Sequence, residues 1–190
     1  PALTAPPRVS RILSDRDGFQ CIHMIGDRRL KGDVMTPWKR QGYALKSGEG
    51  PTIEFRGTKM TVKLSGASSE ESYSLIEMVH PSGVGPALHI HPTGAEAFYV
   101  LEGHYTIHCG EQQYEAAAGD FVYVPKGLPH LYQSGVNGGK VLVLSPAGLE
   151  RYFSEVAELL RVGPVTWDVE QAIAAQYGQE FLDGLRHWGQ

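Results

Sequence analysis

The segment His89-Ile90-His91-Pro92-Thr93-Gly94-Ala95-Glu96 puts three ligand-capable side chains directly before the apolar run Ala97-Phe98-Tyr99-Val100-Leu101. In a strand, residues i and i+2 point the same way, about 6.6 Å apart along the chain. His89 and His91 therefore face one side together. Pro92-Thr93-Gly94 permits a turn, after which Glu96 opens the next strand and can reach back to the same point. Further on, Gly119-Asp120-Phe121-Val122-Tyr123-Val124-Pro125-Lys126-Gly127-Leu128-Pro129-His130 reads as a strand, a Pro/Gly turn and a histidine at a strand start. A barrel would bring His130 onto the same centre. Three imidazoles and a carboxylate suit one divalent first-row metal: Fe, Mn, Ni, Cu or Zn. Four protein ligands leave two positions of an octahedral ion for substrate, water or O2, which suits chemistry rather than structure.

Such a centre needs strands to carry it. From residue 51 to 145 short runs alternate with Gly/Pro breaks, and strands are expected over 52–56, 59–65, 72–80, 88–91, 96–102, 104–109, 121–124, 130–134 and 140–145. Evenly spaced short strands joined by tight turns point to an all-β sandwich or barrel. After that the period changes. Ser145 reads as an N-cap and Pro146 as the first helical turn. Leu149, Tyr152, Phe153, Val156, Leu159 and Leu160 then recur at helical spacing up to Gly163-Pro164. A second helix is expected after Asp168, ending near Gly178, with a third short piece over 179–187. Residues 1–50 read as an arm or partial layer, with one possible strand from Phe19 to Ile25. The division expected is therefore an arm (1–50), a β-barrel (51–145) and a helical segment packed against it (146–190).

The spaced residues carry a resemblance. Gly83-x5-His89-x-His91-x4-Glu96-x6-Gly103 resembles the first motif of the cupin superfamily at every fixed position, and Gly119-x5-Pro125-x-Gly127-x2-His130 resembles the second. The 15 residues from His104 to Ala118 between them resemble the short spacing of single-domain bacterial cupins. Ser134 departs from the pattern, since many members carry Asn there. The helix after the barrel resembles that of single-domain cupins related to quercetin 2,3-dioxygenase. The resemblance implies a jelly-roll barrel with a metal in its mouth, His89, His91, Glu96 and His130 as ligands, Glu96 doubling as proton acceptor, and a homodimer.

Other residues are weighed against plainer roles. Tyr132 shares the face of His130 and is a candidate to orient a substrate or donate a proton; an aromatic wall is the alternative. Phe98 and Val100 share the face of Glu96 and are expected to line an apolar pocket suited to an aromatic substrate. Glu77, on a strand expected beside His89, would be a general base if buried and unpaired. His80, held extended before Pro81, would lie near the mouth. His104 and His108 are expected to face outward, and Cys109 to be a small core residue.

Composition bounds the rest. The chain has 190 residues, 42% hydrophobic and 20% charged, with a net charge of −4 and no basic block. Nucleic acid and an anionic membrane surface are therefore not expected partners. No apolar run approaches the roughly 18 residues that span a bilayer, and PALTAPPRVS lacks the apolar core of a signal peptide, so a cytoplasmic protein is expected. No GxGxxG, GxxxxGK[ST] or GxSxG occurs. The leading expectation is a metal-dependent dioxygenase acting on an aromatic or enolisable small molecule. A non-oxidative isomerase, cyclase, decarboxylase or lyase on the same site is the alternative, as is a small-molecule-binding protein without turnover.

Overall fold

A computed structural model describes residues 42–182. The possible strand at 19–25, Trp38, Trp188 and most of the expected arm lie outside the described residues. The elements in chain order are β1 (Thr52–Phe55), β2 (Thr58–Leu64), β3 (Tyr73–His80), β4 (His89–Ile90), β5 (Glu96–Cys109), β6 (Gln112–Ala117), β7 (Phe121–Val124), β8 (His130–Pro146), α1 (Leu149–Val162), α2 (Trp167–Gln176) and β9 (Glu180–Phe181).

All strand pairs are antiparallel, and β5 and β8 organise them. These two long strands run side by side from Ala97↔Leu144 to Cys109↔His130. Their Glu96-side half continues into β3, β2 and β1 on one flank and β7 on the other. Their Cys109-side half continues into β4 and β9, and into β6. Two sheets thus share two strands, which is the jelly-roll arrangement expected for an all-β barrel. The shared strands change register around Gly103 and Gly139. A side chain at Gly139 would collide with the Tyr105 ring, its Cβ only 2.6 Å away. Glycine there leaves room for that ring, and Gly103, whose Cβ would lie 2.5 Å from the Gly138 carbonyl, lets the two backbones run close.

This explains two differences from the expected strands. The pairs 96–102 with 104–109, and 130–134 with 140–145, are each one strand, because register shifts absorb the glycines. Strand β6 was not expected. Its residues Gln112, Gln113, Tyr114 and Glu115 face solvent, so they carry little apolar alternation, yet they pair fully with β5.

Alternation sets the core. In β3, Ser74, Ile76, Met78 and His80 turn inward while Tyr73 and Val79 stay exposed. They meet Met60, Phe98, Val100, Tyr105, Ile107, Tyr132, Val141 and Val143 between the sheets. Each fully buried large apolar side chain contributes roughly 1.5–3 kcal/mol.

The segment after the barrel differs most from expectation. Ser145 and Pro146 end β8, with Ser145 paired to Ser74; they do not start the helix. Helix α1 begins at Leu149 behind Gly148, whose φ of +91° suits glycine. Its anchor is Glu150, whose carboxylate accepts hydrogen bonds from the Gly66 N–H and the Ser74 hydroxyl. Phe55 packs on Tyr152 and Phe153, with ring centroids 6.0 and 5.2 Å away. Helix α2 starts behind Thr166 rather than Asp168, which lies in its first turn. The buried Glu170 accepts from Tyr152 Oη and pairs with Arg56. Arg56 sits with Gly57 in the β1–β2 turn, both at positive φ, the backbone of a tight two-residue hairpin. Of the third short piece expected over 179–187, Glu180–Phe181 form strand β9, and 183–187 lie outside the described residues.

Candidate metal centre

The short strand β4 sits between β8 and β9. His89 is paired with His130 on one side and with Phe181 on the other. His91 follows two residues on. Glu96 opens β5 opposite Val124 of β7. The Pro125-Lys126-Gly127 turn is tied to the first histidine segment, since Gly127 N–H donates to the His91 carbonyl at 2.8 Å. Gly127 has φ +74° with open space around it, so its backbone conformation, not crowding, requires glycine.

Each histidine engages a backbone carbonyl through Nδ1: His89 with Ala87 at 2.8 Å, His130 with Leu128 at 2.8 Å, and His91 with Gly178 at 3.1 Å. An imidazole that donates Nδ1–H to a carbonyl has its other nitrogen, Nε2, bare and aimed. The three rings face one another, with centroids 4.2 Å apart for His89–His130, 5.0 Å for His89–His91 and 5.3 Å for His91–His130. One ligand atom from each of His89, His91, Glu96 and His130 lies within 4.8 Å of the others. All four side chains are buried, at 4% exposure or less.

The donor set fits a metal ion. His91 Nε2 is buried with no hydrogen-bond partner, an arrangement that costs about 1–3 kcal/mol if left so. Glu96 points one oxygen at His130 Nε2, 3.0 Å away, and the other at His91 Nε2, 3.7 Å away. A bare imidazole nitrogen and a carboxylate oxygen repel unless a cation lies between them, either a proton or a metal. The N3O set suits first-row divalent ions.

The electrostatics agree. Burial, with the other two histidines, lowers the pKa of His89 to about 3, so its imidazole is neutral. Burial also disfavours charge on Glu96 and His91. For Glu96 the hydrogen bond with His130 and the nearby His91 imidazole outweigh it and hold the carboxyl well below the usual range. For His91 the Glu96 carboxylate outweighs it and holds the imidazole above its usual value.

The remaining candidates separate. Tyr132 is buried beside Phe98, with 5.2 Å between ring centroids. Its hydroxyl meets His80 Nε2 at 3.1 Å and Met78 Sδ at 3.5 Å. His80 Nδ1 meets Tyr105 Oη at 2.9 Å. Every proton is used when Tyr105 donates to His80 Nδ1, and His80 Nε2–H donates to Tyr132, which donates to Met78. His80 lies inside the barrel as part of this chain, with its pKa lowered by burial to about 3. Phe98 and Val100 are core residues. Glu77 is not beside His89: β8 separates β3 from β4, and Glu77 faces outward to Lys63 and Lys140 at 3.7 and 3.6 Å. His104 is exposed and Cys109 buried, as expected. Ser134 accepts from Val84 N–H and donates to the Pro81 carbonyl, so it ties β8 to the 81–84 loop rather than to a ligand.

Two contributors were not foreseen in the sequence: the Gly178 carbonyl on His91 and the Phe181 ring, 6.2 Å from that of His89. The one local signal was Gly178 as a helix stop.

Fold and site together define a jelly-roll barrel with a buried three-histidine, one-glutamate cluster. Residues 75–145 match the family described as the cupin domain, which together with the fold supports a cupin superfamily protein. It is similar to quercetin 2,3-dioxygenase of Bacillus subtilis, 29% identical over 97 residues, 51% of this chain and 29% of that protein. It is also similar to an uncharacterized protein of Methanocaldococcus jannaschii, 37% identical over 57 residues, 30% of this chain and 46% of that one. The chain thus spans less than half the length of either curated relative. A crystal structure described as an RmlC-like cupin from Shewanella frigidimarina shares 19% identity, covering 59% of this chain and 98% of that one, with a TM-score of 0.48. No helix among the described residues is long and apolar enough to cross a membrane.

Proposed function

We propose that the chain is a metal-dependent dioxygenase acting on an aromatic or enolisable small molecule. The observation that carries this reading is the convergence of one ligand atom from each of three histidines and one glutamate in a buried cluster. The similarity to quercetin 2,3-dioxygenase supports the substrate class.

His89, His91, Glu96 and His130 would hold the ion. When bound, a redox-capable divalent metal supplies Lewis acidity toward a substrate oxygen and access to O2 chemistry. The chain's own groups do the rest. The backbone carbonyls of Ala87, Leu128 and Gly178 fix the imidazole rings, so little reorganisation accompanies binding. Glu96 is ionised and offers a carboxylate oxygen as acceptor for a proton leaving an enol or phenol. Tyr132 keeps its proton at Oη, because burial and the nearby Glu96 raise its pKa well above the usual phenol value. That makes it a hydrogen-bond donor rather than a base. The buried surroundings of the cluster strengthen each of these interactions.

The same reading takes the chain to act as a homodimer. Tyr99, Phe121, Tyr123 and Leu144 are exposed on one outer sheet face and suit a subunit contact; light scattering at micromolar concentration tests it.

The deciding experiment is O2 uptake by protein loaded separately with Fe, Mn, Ni or Cu and supplied with flavonols and other enolisable phenols. Consumption coupled to substrate loss is expected. Turnover that persists under strict anaerobiosis would replace the oxidative reading with a lyase or isomerase one, and a ligand recovered unchanged would replace it with a binding role.

A further inference from the structure

The three histidines are not held alike. His89 and His130 take their carbonyls from two residues upstream, within their own segments. His91 takes its carbonyl from Gly178, 87 residues later, beyond α2 and outside the stretch matched to the cupin family. The same segment pairs with the ligand strand. Phe181 lies opposite His89, Glu180 lies opposite Ile90, and Leu182 N–H donates to the Leu88 carbonyl at 2.9 Å. Among the described residues, β9 alone covers that flank of β4.

The turn that delivers Gly178 is built for this direction. Helix α2 ends with Gly178 N–H on the Ala175 carbonyl and Gln179 N–H on the Ala174 carbonyl. Gly178 takes φ +72°, which reverses the chain so that its carbonyl meets His91. Phe181 then packs on Trp167, 5.0 Å away, as well as facing His89. Glu170, held by Tyr152 and Arg56, fixes α2 to α1 and to the β1–β2 turn.

We propose that residues 178–181 form part of the metal centre: the Gly178 carbonyl and the Phe181 strand position His91 and His89, so the four ligands reach binding geometry only when α2 and β9 are docked. These are positioning residues, and the inference rests on the metal centre but not on the oxidative reaction.

The probe is Co2+, whose visible spectrum reports ligand geometry, with affinity measured by chelator competition on the full chain. Phe181→Ala and Gly178→Ala are compared with the parent, with Phe181→Leu as the conservative rescue. Val156→Ala in α1 is the packing control, because Val156 is buried in the core and is not one of the four ligands. The expected result is a roughly 10–100-fold weaker Co2+ affinity and an altered spectrum for Phe181→Ala and Gly178→Ala, with Phe181→Leu recovering most of both. Val156→Ala should lower the melting temperature of the metal-free protein yet keep the parent affinity and spectrum. If Phe181→Ala does not fold, Gly178→Ala and Phe181→Leu carry the comparison. Parent affinity and spectrum in the 178 and 181 variants would overturn the proposal, as would an equal loss in Val156→Ala. A parent chain that binds no Co2+ would overturn the metal centre itself, whatever the O2 uptake shows.

Discussion

His130 presents Nε2 to Glu96 Oε2 at 3.0 Å while its Nδ1 is engaged by the Leu128 carbonyl. With Nδ1–H donated to that carbonyl, Nε2 and the carboxylate oxygen face each other where a metal ion would be held.

Metal binding should release protons. Glu96 holds the pKa of His91 above its usual value. Above that pKa the imidazole is neutral and ready; below it, a proton must leave first. Affinity for Mn2+ or Co2+ is expected to rise with pH through this window and fall below it. Calorimetry in two buffers of different protonation enthalpy checks it, and binding without proton release would contradict it.

The metal-free protein should also lose stability in acid through His80. Its folded pKa is about 3, against 6.5 for the ordinary group. Between these values the unfolded chain binds the extra proton, so stability falls as pH falls, by about 1.4 kcal/mol per pH unit for the group. His89 acts in the same direction. In chelator, His80→Gln should be less stable at neutral pH, yet its stability should decline with acid less steeply by about that amount. Denaturant unfolding from pH 6 to 4 measures the slope; an unchanged slope would show that His80 is not buried neutral.

How much of this was legible in the sequence follows from which contacts are local. His89, His91 and Glu96 could be placed together because period two and the Pro92-Thr93-Gly94 turn are local rules. His130, 34 residues from Glu96, joins them only through the expected barrel and the resemblance to the second cupin motif. The Gly178 carbonyl could not, since it arrives from 87 residues away through a backbone group that carries no residue signature. The start of α1 was misplaced because Ser145 and Pro146 look like a helix start, whereas pairing with β3 keeps them in β8. Glu77 would be a base only if buried and unpaired, and whether a lysine from a neighbouring strand reaches it is not a local property: Lys63 and Lys140 both do.

Tyr132→Phe separates two roles. Loss of the hydroxyl removes the contacts to His80 and Met78 and should lower stability by about 1 kcal/mol. If the hydroxyl also donates to substrate, kcat falls at unchanged metal content. Unchanged kcat with the stability loss would leave Tyr132 purely a core residue.

Glu170→Ala tests the anchor of the segment after the barrel. Arg56 and Tyr152 both lose a buried partner, and breaking such a pair costs about 3 kcal/mol or more. A markedly lower melting temperature is expected. A change within 0.5 kcal/mol, roughly the size of an ordinary surface substitution, would contradict the network.

The central claim is that His89, His91, Glu96 and His130 hold one metal ion, and metal analysis of protein purified without added metal tests it most directly. The parent chain should carry a first-row divalent ion at close to one per chain, and His91→Ala should lose most of it. Equal metal content in the two proteins would show that the ion, if any, is bound elsewhere.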